Sequence, residues 1–340
     1  MQKNPLVSII IVNFNQKQVT LDCLDSLRKV TYPNYEIILV DNNSQDGSKE
    51  AVLKKYPSLK LVANQTNEGF AGGNNIGLKE AKGDFILLLN NDTKVDPNFL
   101  QPLVEDMQKD IKLGVVQSKL KVMDNPKLLD SVVSFQTITG FLYHKGYLDN
   151  DKEEYQKFLY SFSAKGACIL IRKEVLKMGL FDEQYFAYFE ETDFCWRVWL
   201  MGYKVGFEPQ SIVFHKMGAT SSKMNRAFMH YHSFKNRLRT IIKNSSIFTL
   251  SWMLPLHILI CIPLGIYFAI IGETEASKSV FKALWWNLVS LPETLSLRKK
   301  VQHLRKVSDK AIFDQVLYNP PINFYLRHLY LVRRSLVDDR

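Results

Sequence analysis

Residues 7–15 read VSIIIVNFN and residues 84–92 read DFILLLNND. Each is a short, almost unbroken apolar run that stops at asparagine or aspartate. Runs of this length are strands, and strands apolar on both sides belong in a parallel sheet covered by helices on either face. Working outward, residues 35–40 (YEIILV) and 59–63 repeat the pattern, the former ending at Asp41. Between the runs, residues 18–27, 49–56, 74–81 and 97–109 carry apolar positions at helical spacing. The alternation predicts an α/β fold with a mostly parallel sheet and helices on both faces. Ligands on such sheets bind beyond the C-terminal ends of the strands. The polar residues fall there: Asn13 and Asn15, then residues 41–46, 64–75 and 90–92.

Further along, residues 113–160 predict strands and a loop, with an acidic turn at 149–154. Residues 162–172 read as a strand and 189–201 as a helix. Residues 204–207 and 211–214 read as two short strands, the second leading into His215. The chain has 340 residues, 46% hydrophobic and 23% charged, a composition that excludes disordered, collagen-like and coiled-coil chains. Its four cysteines show no paired spacing, so neither a disulfide framework nor a thiolate zinc site is expected, and the reducing cytosolic side is the default. Residues 6–12 lack a following small-residue cleavage site and read as a strand, not a signal sequence.

Several motifs carry potential chemistry. DNNSQDGS (41–48) suits a turn and helix cap, but an acidic group at a strand end also suits a ribose hydroxyl or a base imide. NEGFAGGNN (67–75) reads either as a flexible loop or as a glycine-rich approach to phosphate at a helix start. It matches neither GxGxxG nor GxxxxGK[ST], which disfavours a dinucleotide fold and a P-loop NTPase. Asp92 ends a strand, as a ligand for a hard divalent cation would, and His215 can complete such a site. Glu190, Glu191 and Asp193 open a helix. They serve its dipole, and Asp193 pairs with Arg197, but the aromatic residues before them (Tyr185, Phe186, Tyr188, Phe189) also supply the apolar walls a general base needs.

Taken together, these motifs resemble a family-two glycosyltransferase of the GT-A type over roughly residues 5–240, and within it the bacterial rhamnosyltransferase-like branch. The resemblance rests on VSIIIVNFN, DNNSQDGS, NEGFAGGNNIG (67–77), LNNDT (89–93), KGACILIR (165–172), GLFDEQYFAYFEETDFCWR (179–197) and HKMGATS (215–221). It implies a GT-A, Rossmann-like nucleotide-binding sheet. It implies that Asp41 binds base or ribose, Asn13 lines the base pocket, and Asn67, Gly72, Gly73, Asn74 and Asn91 lie near the nucleotide-sugar. Asp92 and His215 would hold Mg²⁺ or Mn²⁺, and Lys165 and Gly166 would sit near the acceptor. Glu191 matches the general base, although this chain has Glu-Glu where the family has Glu-Asp, which leaves Glu190 and Asp193 as alternatives. The implied reaction is inverting transfer of one sugar from a nucleotide-diphospho-sugar, with dTDP-rhamnose the expected donor, to a lipid-linked saccharide in cell-surface polysaccharide synthesis.

The net charge of +10 is concentrated: residues 223–306 hold 13 Lys/Arg against 3 Asp/Glu. They surround residues 247–271, which carry no charged side chain and are long enough to cross a bilayer. Cations on both flanks favour anionic lipid over nucleic acid, for which no reading motif is present. Both flanks would stay cytoplasmic. With Pro255 and Pro263 inside, a kinked, re-entrant or interfacial hairpin is expected, a buried extension or dimer contact being the alternative. Trp285 and Trp286 fit headgroup depth. The chain is thus divided into a catalytic part (1–240) and a helical, membrane-associating extension (241–340) at the cytoplasmic face of a bacterial membrane. A pyrophosphorylase lacks support, because Asn13-Phe14-Asn15 stands where its glycine-rich loop would. A processive synthase is disfavoured, because the chain has no QxxRW motif and only one membrane-length segment. A catalytically idle nucleotide-sugar or lipid-binding partner is the competing reading, and the sequence assigns no oligomeric state.

Overall fold

The computed structural model describes residues 4–218 and 225–321. Ala219, Thr220 and Ser221 of the HKMGATS motif, and the last 19 residues of the expected extension, lie outside the described residues.

Four parallel strands form the first half of the sheet: β1 (Val7–Asn13), β2 (Tyr35–Asp41), β3 (Lys60–Ala63) and β4 (Phe85–Asn90). Helices α1 (Lys17–Leu27), α2 (Ser48–Lys55) and α3 (Gly69–Glu80) connect them. Alternate side chains of β1 enter opposite cores: Val7, Ile9 and Ile11 pack with Leu24 and Leu27 of α1, whereas Ile10 packs toward Ala71 of α3. This is the two-faced burial that unbroken apolar runs require.

Beyond β4 the sheet becomes mixed. The remaining elements are β5 (Thr93–Val95), α4 (Leu100–Lys109), β6 (Leu113–Val122), β7 (Leu129–Ser131), β8 (Val133–Gln136), β9 (Leu142–Lys145), β10 (Leu159–Tyr160), β11 (Cys168–Arg172), α5 (Glu190–Leu200) and β12 (Lys204–His215). The sheet order is β10-β12-β6-β11-β4-β1-β2-β3, with β11 antiparallel to both β4 and β6, and β12 parallel to β6. Register brings the strand ends together: Asn13 stands beside Asp41, Val12 beside Asn90, and His215 beside Thr93.

The structure departs from sequence expectation in four places. The glycine-rich segment is not a loop: Gly72 and Gly73 lie inside α3, which starts five residues earlier than expected. A Cβ on Gly73 would meet Val12 at 2.7 Å, and one on Gly77 would meet Ile10 at 2.5 Å, so these glycines let α3 lie close on the sheet. Residues 162–167 are not strand; pairing starts at Cys168. Residues 204–215 form one strand, not two, with a register shift between Glu208 and Ile212. Finally, the apolar segment is one continuous helix.

That helix, α7 (Ile247–Ile270), belongs to a C-terminal group with α6 (Arg226–Asn244), α8 (Thr274–Val289), α9 (Leu291–His303) and α10 (Asp309–Val316). Only a stripe of α7 is buried: Thr249, Met253, His257, Cys261, Gly265 and Phe268, spaced at three or four residues. Both prolines lie off that stripe, where a missing backbone bond disturbs no packing, so the helix runs through. Gly265 lets α8 approach, since a Cβ there would sit 3.0 Å from Phe281. The outer face is exposed and apolar, with Ile247, Phe248, Leu259 and Ile270 each more than two thirds exposed. The expected division after residue 240 falls inside α6.

Candidate active site

The site lies along the strand ends. At its donor side Asn13 Nδ2 donates to Asp41 Oδ2 (2.9 Å) and Ser44 Oγ (3.0 Å), while Thr20 Oγ1 donates to Asn13 Oδ1 (2.8 Å). Asn91 Nδ2 joins by donating to Thr20 Oγ1 (3.0 Å). Asp41 is fully buried, its other oxygen accepting from Ser44 N–H at 2.9 Å. The residues expected around the base therefore form one preorganised network at the ends of β1, β2 and β4. Asn67 and Asn74 bond locally instead, to Gly69 N–H and to the Phe70 carbonyl.

At the end of β12, His215 Nε2 faces Asp92 Oδ1 at 3.3 Å, and its Nδ1 meets Asp130 Oδ2 at 2.8 Å. Asp130, on β7 and wholly buried, also accepts from Lys165 Nζ at 2.6 Å. Burial opposes its charge, but His215 and Lys165 outweigh burial and hold the carboxyl below its usual range. Burial likewise lowers His215, yet Asp130 and Asp92 overcome it and raise the imidazole to about 9. Asp92 Oδ1 is buried and has no hydrogen-bond donor within good geometry. With the His215 Nε2 proton displaced, Asp92 Oδ1 and that nitrogen, whose partner nitrogen is already fixed, would together suit a divalent cation. Among the described residues no cluster of three acidic, His or Cys ligands forms, so these two groups do not by themselves make a complete cation site.

The Lys165-Gly166 turn lies between Asp130 and Glu191: Lys165 reaches Asp130, and Gly166 lies against the Glu191 carboxyl. A Cβ on Gly166 would stand 3.7 Å from Glu191 Oε1. Glu190 and Glu191 begin α5, and each has a buried Oε2 without a partner. Burial raises both carboxyls. Glu190 rises further because Glu191 is its only charged neighbour, whereas the Gly166 N–H and Lys165 restrain Glu191. The environments push the two acids apart, leaving Glu191 the more readily ionised.

Asp193 takes a different place from the one expected of an alternative base. It is fully buried and meets Arg197 Nε at 2.9 Å, Lys243 Nζ at 3.0 Å and Asn244 Nδ2 at 3.0 Å. Its carboxylate anchors α5 to α6. Lys165, expected near the acceptor, directs its ammonium to Asp130 on the cation side. Sequence reasoning missed Asp130, Thr20 and Ser44. It also missed Asn75, which clamps Phe181 through a pair of 3.0 Å bonds to its N–H and carbonyl.

The arrangement can be set against known proteins. Poly-beta-1,6-N-acetyl-D-glucosamine synthase of Staphylococcus epidermidis is 25% identical over 211 residues, 61% of this chain and 48% of the relative. The chain thus spans about half the length of the curated relatives it matches. Among solved structures, S. aureus TarS 1-349 in complex with UDP-GlcNAc aligns with a TM-score of 0.58 and 18% identity, over 88% of this chain and 86% of that one. The mannosyltransferase PcManGT from Pyrobaculum calidifontis, in complex with GDP-Man and Mn2+, aligns with a TM-score of 0.54 and 15% identity, over 89% and 84%. These likenesses show the GT-A fold. The profile described as Glycosyl transferase family 2 matches residues 8–179, just over half of the chain, and the chain belongs to that family.

Proposed function

We propose that the protein transfers one sugar, with inversion, from a nucleotide-diphospho-sugar to a lipid-linked saccharide acceptor at the cytoplasmic face of a bacterial membrane. One observation carries this reading: Asp92, His215, Asp130 and Lys165 are joined by successive ion pairs, and Gly166, next in the chain, lies against Glu191. A cation-binding pair and an acid with a raised carboxyl thus stand on two sides of one turn. The network around Asn13 and Asp41 would orient the nucleotide, and Asp92 and His215 would hold Mn²⁺ or Mg²⁺. A bound divalent cation would neutralise charge growing on the leaving diphosphate. Glu191 would take the proton from the acceptor hydroxyl as that oxygen attacks the anomeric carbon, and Glu190, held neutral, would add no competing negative charge. General-base help of this kind contributes about 10²–10⁴ in rate.

Catalysis would reside in the part expected over residues 1–240 and membrane association in the part from 241 onward, with α6 shared. The exposed apolar face of α7, with Trp285 and Leu288 exposed on α8, supports interfacial placement. dTDP-rhamnose is the donor the motif resemblance favours. UDP-sugars are the next to test, in view of the TarS complex with UDP-GlcNAc.

The test is a thermal-shift panel of nucleotide diphosphates and nucleotide-sugars with and without Mn²⁺, followed by product analysis. A cation-dependent shift with dTDP or UDP supports the donor site. At a hundredfold excess over Kd the folded state gains about 2.7 kcal/mol. One added sugar per acceptor supports single transfer over polymerisation. No shift with any nucleotide favours the idle-partner reading.

A further inference from the structure

The segment that delivers Glu190 and Glu191 follows an unfavourable path. Phe186, Tyr188 and Phe189 all have left-handed backbone, with φ of 61°, 69° and 73°. Bulky L residues adopt that region only where their surroundings impose it. Phe189 immediately precedes α5, so its conformation sets the direction in which the two glutamates leave the turn.

Helix α3 takes one carbonyl of this turn, Ala71 N–H donating to that of Phe186 at 3.1 Å, and α6 takes the others. Asn236 is fully buried there, and its Nδ2 donates to the carbonyls of Tyr185 (3.0 Å), Ala187 (3.0 Å) and Tyr188 (2.6 Å). His232, one turn earlier, places Nδ1 3.1 Å from the Tyr185 carbonyl. Lys235 Nζ donates to the Gln184 carbonyl at 2.5 Å. Four carbonyls from a five-residue stretch are thus directed to one helix face. Asn236 Oδ1 is buried without a partner, so the amide is held for its donor group. The side-chain carbonyl gains nothing here, which is an unusual use of a buried asparagine.

We propose that Asn236 is a positioning residue for transfer, holding residues 185–188 in the left-handed path that aims Glu191 at Gly166. It touches neither donor nor cation ligand, and it acts on the acid pair through the backbone. The proposal rests on the reading of Glu191 as the base.

The experiment uses the full chain with Asn236→Asp and Asn236→Leu, which remove the donor group at nearly constant volume. The kcat for transfer and the Kd for dTDP and UDP with Mn²⁺ are measured side by side. A small misplacement of a reacting group costs about 10²-fold. The expected result is a kcat loss of that order with nucleotide Kd unchanged within twofold. A second arm adds Tyr188→Gly to Asn236→Leu. Glycine adopts the left-handed region freely, so the double variant should recover part of the lost kcat. Unchanged kcat in a folded single variant overturns the proposal, as does a kcat loss matched by an equal loss of nucleotide affinity. If both single variants melt below the assay temperature, Asn236→Gln, which keeps the donor group one methylene further out, is judged on the same two constants. Glu191→Gln is run in parallel. Should it retain turnover, the base reading fails, while the Asn236 result still reports whether the turn positions whichever acid acts.

Discussion

The donor side and the acid side of the cleft are held by opposite means. On the donor side Asn13, Asp41 and Asn90 are strand-end residues brought together by register, and their partners Ser44 and Thr20 lie on the adjoining turn and helix. On the acid side the chain from Asp182 to Asp193 has little regular structure before α5. Helix α6, about 50 residues later in the sequence, holds it by contacts to backbone carbonyls and carboxylates. A sheet edge keeps its shape because backbone hydrogen bonds hold it. A strained turn keeps its shape only while a distant helix stays docked. The donor side should therefore tolerate loss of α6 contacts, and the acid side should not.

The largest expected effect lies on the donor side. Asp92→Ala should abolish Mn²⁺-dependent donor binding and reduce transfer by about 10³-fold or more, since it removes a carboxylate that would bind the cation. Calorimetry with Mn²⁺ and nucleotide checks this, and unchanged cation affinity would refute the ligand assignment. Next, Glu191→Gln should lower kcat by about 10²–10⁴-fold and leave nucleotide Kd intact. Near-normal turnover would move the role to Glu190.

Stability tests the acid side directly. Asp182 is buried, which by itself would raise its carboxyl, but Lys243 (2.9 Å) and Arg239 (2.8 Å) outweigh burial and hold it well below the usual range. A depressed folded value means this stabilisation is present above the unfolded carboxyl range, near pH ~4, and is lost as pH falls below it. Asp182→Asn should cost about 3 kcal/mol at pH 7, the low end for breaking a buried pair because Lys243 and Arg239 keep Asp193 and Glu293. The deficit should shrink in urea melts run progressively below pH ~4. An equal deficit at every pH would show that the ion pairs are not its source. The smallest effect is expected at Asp130. Asp130→Asn should weaken Mn²⁺ binding by about 10–100-fold, as orienting partners of histidine ligands do. Electron paramagnetic resonance of bound Mn²⁺ reads it without turnover.

What the sequence disclosed follows the same division. Asn13, Asp41 and Asp92 were legible because each ends an apolar run, and strand ends converge wherever parallel strands lie side by side. Glycines misled in part, because Gly72 and Gly73 read as a loop or a phosphate approach, while Gly73, like Gly77 in the expected helix, serves close helix–sheet packing against Val12 and Ile10. That use depends on which strand lies beneath, which spacing does not encode. Asp130 was illegible for another reason: β7 is three residues long and carries no period. Asn236 sits in a helix rich in polar residues, and its partners are backbone carbonyls, which leave no trace in side-chain pattern. The Asp193–Arg197 pair was legible from i,i+4 spacing, whereas the further partners of Asp193, Lys243 and Asn244 across the helix interface, were not.

Because α6 belongs both to the acid side and to the C-terminal helical group, cutting that group away disturbs the acid side. Ending the chain after residue 240 deletes Lys243 and Asn244, stripping Asp193 of two partners and leaving Asp182 with Arg239. Ending it after Ser245 keeps those groups but removes Arg298 and Gln302, whose side chains satisfy the carbonyls of Ile242, Lys243, Asn244 and Ser245. The last turn of α6 would fray next to the acid helix. Exchanging exposed Ile and Phe residues on the outer face of α7 for polar ones, with all of α6, α8 and α9 in place, should by contrast leave the acid side undisturbed.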